Sequence, residues 1–483
     1  MKKFGTGIVL GFIGLLLIML IRTFLFTPEA TDTVTTRQVS VPELPQVLAH
    51  LSEAIQIKTL STEEPDSQTR AAFTAFGKWL QSSYPLVHQH AQLTRLNEFT
   101  LLYRWPGSDK SAQPVLLSAH YDVVPVNPDT LSQWQYPPFA GTVTEQAVWG
   151  RGALDDKGSV VALMESVEHA IKNHSTPGAD VYIALTHDEE VGGERGANAV
   201  TDYFRQKQIK LAWSLDEGSF VLAGLVPGID KPVASINVAE KGFLTLELVA
   251  KGEGGHSSMP PSETAVTRLA QAIINVQQAP VPGALEGVTA TMYSNIAQHM
   301  DFSKRFLFAN TWLFKPVIEH VVSNGASGNA MLRTTTAATM LKGSIKANVL
   351  PDTATAKINF RLHPRDSVDS VVRWVTQAVN DELITINIEE AFEPSTIAKA
   401  DGPGFTALQN ATAQVFPRAI ITPGLTIAAT DSHYYSTITQ SYRFTPMVIT
   451  PEDLAGFHGM DEHVSHQNMR SAVTFYSHLL QQL

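Results

Sequence analysis

The chain has 483 residues, a formal net charge of −11 and 44% hydrophobic residues, so it can bury a large core and exceeds one typical domain. That acidic balance excludes nucleic acid as the main partner, because phosphate binding needs a Lys/Arg-rich face. The absence of cysteine excludes disulfides, thiolate catalysis, Cys-ligated zinc and iron–sulfur clusters, so any metal must sit on His, Asp and Glu.

Lys2 and Lys3 precede 18 uncharged residues, Phe4 to Ile21, rich in Leu and Ile. This run is about long enough to cross a hydrocarbon core as one helix. A cleaved signal peptide is the alternative, although Arg22-Thr23-Phe24-Leu25-Phe26 offers a signal peptidase little. The expectation is a transmembrane anchor or signal at 1–26 and a polar linker at 27–41. The short basic leader stays cytoplasmic, which puts the catalytic part outside the cytoplasm, in a periplasmic, extracellular or lumenal space.

Beyond the linker, strand-like and helix-like segments alternate, the pattern of an α/β fold with a mostly parallel sheet. Val115–Ala119 is a short buried-strand run followed at once by His120-Tyr121-Asp122. Asp155-Asp156-Lys157-Gly158 precedes a helix with apolar positions Val160, Val161, Leu163, Met164 and Val167. Val181–Leu185 leads into His187-Asp188-Glu189-Glu190, and Leu211–Leu215 ends in Asp216-Glu217-Gly218. Ligands of open parallel sheets bind at the carboxyl ends of the strands, so these acids and His120 point to one shared site. Each group alone has an ordinary use: Asp155 and Asp156 as helix caps, Glu189 and Glu190 as a solvated loop, Asp216 as a turn residue. Gathered together, so many acids are a poor arrangement unless cations neutralise them. Two metals need a bridging carboxylate, a His and a terminal carboxylate for each ion, and an unligated acid to take a proton from water. A second His is missing from this region.

These segments resemble the ordered signatures of the aminoacylase/carboxypeptidase family of dizinc amidohydrolases. The resemblance rests on His120-Tyr121-Asp122-Val123-Val124-Pro125, Gly150 to Gly158, His187 to Gly193, and Leu215-Asp216-Glu217-Gly218. It continues through Gly254 to Pro261, Asn348-Val349-Leu350-Pro351 and Phe457-His458-Gly459-Met460-Asp461-Glu462, covering about Val41 to the C-terminus. The stretch from Thr334–Ala337 through Arg361–Pro364 is similar to the carboxypeptidase S branch, which includes N-fatty-acyl-amino-acid hydrolases.

The resemblance implies a zinc-peptidase catalytic domain at 42–240 and 365–483, with an inserted α+β sandwich lid, of the dimerisation type, at 241–364. It implies two Zn2+ ions, with Co2+ or Mn2+ as substitutes: Asp155 bridging both, His120 and Asp216 completing one, Glu190 and His458 the other. It makes Glu189 the general base, Asp122 the partner of the outer nitrogen of His120, and His256 a support for the oxyanion, often from a neighbouring subunit. A homodimer through the lid is therefore an open option. Asn348 and Arg361 are similar to a pair that clamps the substrate carboxylate, and Thr430 lies in a segment like the family's substrate-facing loop. His463 and His466 read as surface or helix-start residues. The implied reaction is hydrolysis of the amide bond of N-acyl amino acids, or of the C-terminal peptide bond of small peptides. The alternatives are an enzyme acting only on peptides and a catalytically inactive metal-binding relative, which the complete set of roles argues against. Residues 279–330, with Met300, Phe302, Phe306, Leu307, Phe308, Trp312 and Phe314, exceed a minimal lid and read either as an acyl-binding surface or as extra lid core.

Overall fold

A computed structural model of the chain describes residues 2–28 and 38–483, with side chains of the first helix described from Val9 on. That helix spans Lys2–Leu25. Among the described residues no helix is long and apolar enough to cross a membrane. Most of the expected linker lies outside the described residues.

The larger unit is built on a ten-stranded sheet. Its centre is four parallel neighbours, Val181–Thr186, Val115–His120, Trp213–Asp216 and Ser441–Arg443. The first two are buried along their whole length, as strands covered on both faces should be. The sheet is mixed rather than mostly parallel. Gln92–Leu96 and Thr100–Trp105 add an antiparallel hairpin at one edge. Towards the other edge Val233–Glu240 runs antiparallel to both Ser441–Arg443 and Val221–Leu222. The expected alternation describes the centre only, because the flanking strands run antiparallel to their neighbours. Helix Lys157–Lys172 is buried on nearly every side, between the sheet and helices Leu44–Gln56 and His466–Leu480. This explains why its apolar positions form a run rather than a stripe.

The inserted unit is a four-stranded antiparallel sheet in the order Thr335–Lys342, Thr353–Leu362, Gly242–Lys251, Ile384–Phe392. Alternate residues Leu244, Leu246, Leu248 and Ala250 face helices Ala265–Gln278 and Val368–Val379, giving this layer its own core. Both helices open with a capping box, at Thr264 and at Ser367. The expected boundary at 364 therefore falls too early: Ile384–Phe392 pairs with Gly242–Lys251, and the unit closes near Phe392.

Residues 279–330 are neither part of this sheet nor an open acyl surface throughout. They form helices Gly287–Ala297, Phe302–Ala309 and Thr311–Ser323 and the start of Ala326–Leu332. Met292 and Ile296 pack with Val233 and Ile420 of the large sheet, and Asn295 Nδ2 donates to Thr422 Oγ1 at 3.1 Å. Leu307, Phe308 and Phe314 close around Leu285, Ile318 and Leu332. Met300, Leu307, Phe308 and Phe314 are thus partly buried against these clusters, but Phe302 and Trp312 remain exposed.

Candidate active site

His120 closes strand Val115–His120, at the carboxyl end of the parallel centre, and its ring is buried. Its Nε2 lies 3.0 Å from Asp155 Oδ1. Asp155 comes from the loop before helix Lys157–Lys172, and its other oxygen, Oδ2, lies 2.9 Å from His458 Nε2. One carboxylate thus faces two imidazoles from opposite sides. Glu190 joins the His458 side, with Oε2 3.2 Å from Nε2, while its Oε1 is buried without a partner.

Asp122 is fully buried behind His120. Its Oδ1 is 3.3 Å from the outer nitrogen Nδ1, which also lies 3.1 Å from the Asp122 carbonyl. The same carboxylate accepts the backbone N–H groups of Glu189 and Glu190 at 3.2 and 3.1 Å. It therefore orients one candidate ligand and fixes the short 3-10 turn Glu189–Val191, which carries the candidate base Glu189 and the candidate ligand Glu190.

The carboxylate beside His120 is Glu217 rather than Asp216. Glu217 Oε1 stands 3.7 Å from His120 Nε2, and Glu217, Asp156 and His120 can bring ligand atoms together around one point, as can His120, Asp155 and Glu190. Successive side chains at a strand end point to opposite sides, so only one of Asp216 and Glu217 can look into the site. Asp216 hydrogen-bonds Ser432, and burial pushes its carboxyl up to about 6 against that bond.

The electrostatics fit a cation site. Burial raises Glu217 and Glu189 well above the carboxylate range, with neighbouring acids adding to it. Burial alone would lower His120, but the Glu217 charge and the bonds to Asp122 and Asp155 raise it well above its ordinary value. Bonds from Asp155 and Glu190 raise His458 to about 10. Asp155 is held below its usual range by His120 and His458 despite burial. Cations between these acids would neutralise them, and Asp156 Oδ1 and Glu190 Oε1 are buried without partners. The oxygen- and imidazole-rich donor set suits zinc and related divalent ions.

A supporting residue has no sequence signal of its own. Glu462, which the sequence shows only as the end of a motif, is buried and accepts from Arg151 Nη1 (2.7 Å) and from the backbone N–H of Gly152 (3.1 Å), Leu154 (2.8 Å) and Asp155 (3.1 Å). Arg151 Nη2 in turn donates to the carbonyls of His458 (3.2 Å) and Gly459 (2.9 Å). This pair ties the Asp155 loop to the His458 loop. Its only sequence trace is an Arg and a Glu in separate motifs.

The other expected residues lie apart from this cluster. His256 is exposed on strand Gly255–His256, which pairs with Val349–Leu350, and its Nδ1 accepts from Ser258. Asn348 directly precedes strand Val349–Leu350 of that exposed strand pair, and its carbonyl accepts from Ser257 N at 3.2 Å. Arg361 lies half-buried on strand Thr353–Leu362 with its guanidinium 4.8 Å from the Phe243 ring centre. Thr430 is buried and its hydroxyl donates to Glu240 Oε2 at 2.8 Å, which removes that proton from substrate binding. His463 opens strand His463–Ser465, half-buried and stacked on Trp149 at 4.1 Å rather than at the surface, and His466 opens the last helix.

An aromatic stack joins the two units: Phe243 on Phe392 at 5.6 Å, Phe392 on His433 at 4.6 Å, and His433 on Tyr434 at 3.8 Å. The Tyr434 hydroxyl reaches the Gly192 carbonyl at 3.1 Å, just past Glu189 and Glu190. At Gly193, where φ is +69°, a Cβ would come within 2.3 Å of Asp431 Oδ1, so only glycine lets the two loops meet.

A parallel-centred sheet with two imidazoles about one carboxylate, acids on either flank and an acid held close by defines a metal-dependent hydrolase site. The description of peptidase family M20/M25/M40 matches residues 116–482, and the chain belongs to that family. It is similar to a probable carboxypeptidase S-like protein of Dictyostelium discoideum, 37% identical over 97% of this chain and 92% of that protein. It is also similar to the mouse N-fatty-acyl-amino acid synthase/hydrolase PM20D1, 38% identical over 92% of this chain and 89% of that protein. Among solved structures, an M20 family metallo-carboxypeptidase from Sulfolobus solfataricus shares the fold, with a TM-score of 0.65, 17% identity, and coverage of 90% of this chain and 98% of that one.

Proposed function

We propose that this chain hydrolyses the amide bond joining an acyl group, or the preceding residue of a short peptide, to a free C-terminal amino acid. The observation that carries this is Asp155, whose two oxygens face His120 and His458 separately, with Glu217 and Glu190 on the two flanks. His120, Asp155 and Glu217 would hold one divalent ion, and Asp155, Glu190 and His458 the other, zinc being the expected metal. When bound, two such ions supply Lewis acidity to a carbonyl and make water acidic near neutral pH. Glu189 is the proton carrier: it accepts a proton from water and delivers it to the departing amine, while its backbone is held by Asp122. Arg361 offers a planar fork to the substrate carboxylate from its seat over Phe243. His256 and Asn348, exposed together at one two-stranded pairing, suit a site completed by a second copy.

The names of the relatives favour two substrate classes, N-fatty-acyl amino acids and peptides with a free carboxylate. Comparing hydrolysis of an N-lauroyl amino acid with that of a dipeptide decides between them; turnover of neither would reject the proposal. The first helix is further proposed as an uncleaved anchor with the catalytic body outside the cytoplasm, supported by its exposed apolar side chains from Val9 on and by Lys2 and Lys3. Release of the protein from membranes by alkaline carbonate would reject that anchor.

A further inference from the structure

We infer that helix Thr311–Ser323 lies on a lipid bilayer, along the headgroup boundary, as a second membrane contact beside the first helix. The inference rests on the anchoring reading just given, and the experiment below separates the two.

The inner side of this helix is already satisfied: Ile318 is buried, and Phe314 and Val322 pack with it around Leu285 and Leu332. Its outer side nevertheless carries Leu313, Val317 and Val321 at helical spacing, with Trp312 beside them, and all four stand in solvent, Trp312 56% and Val321 62% exposed. These side chains have no role in the insert's own core.

The same surface is joined to the first helix. Asn310, which directly precedes Thr311, donates through Nδ2 to Met19 O at 3.2 Å and Thr23 Oγ1 at 3.3 Å. Arg22 Nε donates to Ala309 O at 3.0 Å, and Phe24 lies 5.7 Å from Phe302. The Thr23 side chain is fully buried by this contact, so the end of the first helix and the start of Thr311–Ser323 form one surface. Above the contact the first helix exposes Leu10, Phe12, Ile13, Leu16, Leu17 and Ile18, which cover its whole circumference. A helix apolar all round needs an apolar solvent rather than a single partner face. A second copy of the chain could cover one side of it, whereas a bilayer covers every side.

Charge and composition agree. Between residues 301 and 323 Lys304, Arg305 and Lys315 outnumber Asp301 and Glu319, a local balance of 3 − 2 = +1 in a chain of −11. Anionic headgroups would attract this patch and repel the acidic body. Pro316 and His320 are exposed with the apolar residues, which suits a helix lying in the interface rather than one crossing it. Trp312 has the amphipathic ring that settles at headgroup level. A long-chain acyl amino acid partitions into the same boundary, so the hydrolase would meet such a substrate where it gathers.

The chain has no cysteine, which makes the test direct. Val317→Cys and Val321→Cys, both at exposed positions, are labelled in the full-length protein with an environment-sensitive fluorophore. The protein is then mixed with phosphatidylcholine–phosphatidylglycerol vesicles, with and without nitroxide-bearing lipid. The inference predicts a blue shift at both positions and loss of emission when the nitroxide lipid is present. Flotation with the vesicles while both labels stay water-exposed and unquenched would overturn it and leave the anchor standing. Shielding that grows with protein concentration and ignores vesicles would overturn it in favour of a second copy. Failure to float at all would overturn both readings.

Discussion

Replacing Glu462 by Gln isolates what the buried Arg151–Glu462 pair does for the metal site. The carboxylate accepts four hydrogen bonds, one from a guanidinium and three from the backbone of the Asp155 loop. A Gln keeps the shape but turns one acceptor into a donor aimed at other donors, and it leaves Arg151 as an uncompensated buried charge. Breaking a buried pair in this way costs about 3–5 kcal/mol. Part of that cost appears as misplacement of Asp155 and His458, since the same pair holds the His458 and Gly459 carbonyls through Arg151 Nη2. Loss of an outer partner of metal ligands typically weakens metal binding ~10–100-fold. Denaturant unfolding and competition with a chelating dye read the two effects separately. A cycle adding Arg151→Met should show coupling of about 0.5–3 kcal/mol, as expected for contacting residues. Wild-type stability together with wild-type metal affinity in Glu462→Gln would refute the reasoning.

Glu217→Gln should remove one of the two bound metals at equilibrium dialysis, whereas Asp216→Asn should retain both; the reverse result would restore Asp216 as the ligand. Lys241 is buried at the junction of the two units, its ammonium donating to the carbonyls of Ala330 and Arg333 at 3.1 and 2.9 Å. Lys241→Met leaves both acceptors unpaired and should lower unfolding stability by roughly 2–6 kcal/mol, at about 1–3 for each buried group left unsatisfied. An unchanged urea midpoint would contradict this. Burial, reinforced by the charges of Arg365 and Lys241, lowers His363 to about 4 from 6.5. Below pH 6.5 the unfolded chain takes up a proton that the folded protein refuses, so the stability His363 contributes is full above 6.5 and lost as pH falls to about 4, roughly 3 kcal/mol in all. Thermal unfolding of His363→Gln should therefore show a shallower loss between pH 6.5 and 4 than wild type, and parallel curves would count against the assignment. Tyr434→Phe removes the hydroxyl that reaches the Gly192 carbonyl and should lower kcat with little change in KM; an unchanged kcat would show that the inter-unit stack does not steady the Glu189 turn.

The site residues legible in the sequence are those carried by local pattern. Short buried strands ending in His120 and Asp216, and a helix starting just after Asp155, place acids at strand ends whatever the rest of the fold does. The remainder depends on long-range pairing. Asp216 and Glu217 are adjacent, and which one faces the site is decided by where strand Trp213–Asp216 stops. The second unit extends to Phe392 because Ile384–Phe392 pairs with a strand more than a hundred residues earlier, as the register Phe243 to Phe392 shows. Glu462 has no local signature at all, since its four donors lie some three hundred residues away. Thr430 reads as a binding residue because its segment resembles the family's substrate-facing loop, whereas here buried Glu240 claims its hydroxyl.

The central claim is that this site is metal-dependent and that Glu189 moves the proton. Metal content and release of free amino acid from an N-acyl amino acid and from a dipeptide, measured on wild type, on chelated and metal-restored protein, and on Glu189→Gln, test it together. The account predicts about two divalent ions per chain in wild type and in Glu189→Gln, as in two-metal hydrolases. It also predicts turnover lost on chelation and regained with zinc, and almost none in the variant. Hydrolysis that survives complete metal removal, or a Glu189→Gln variant that turns over as wild type does, would contradict it.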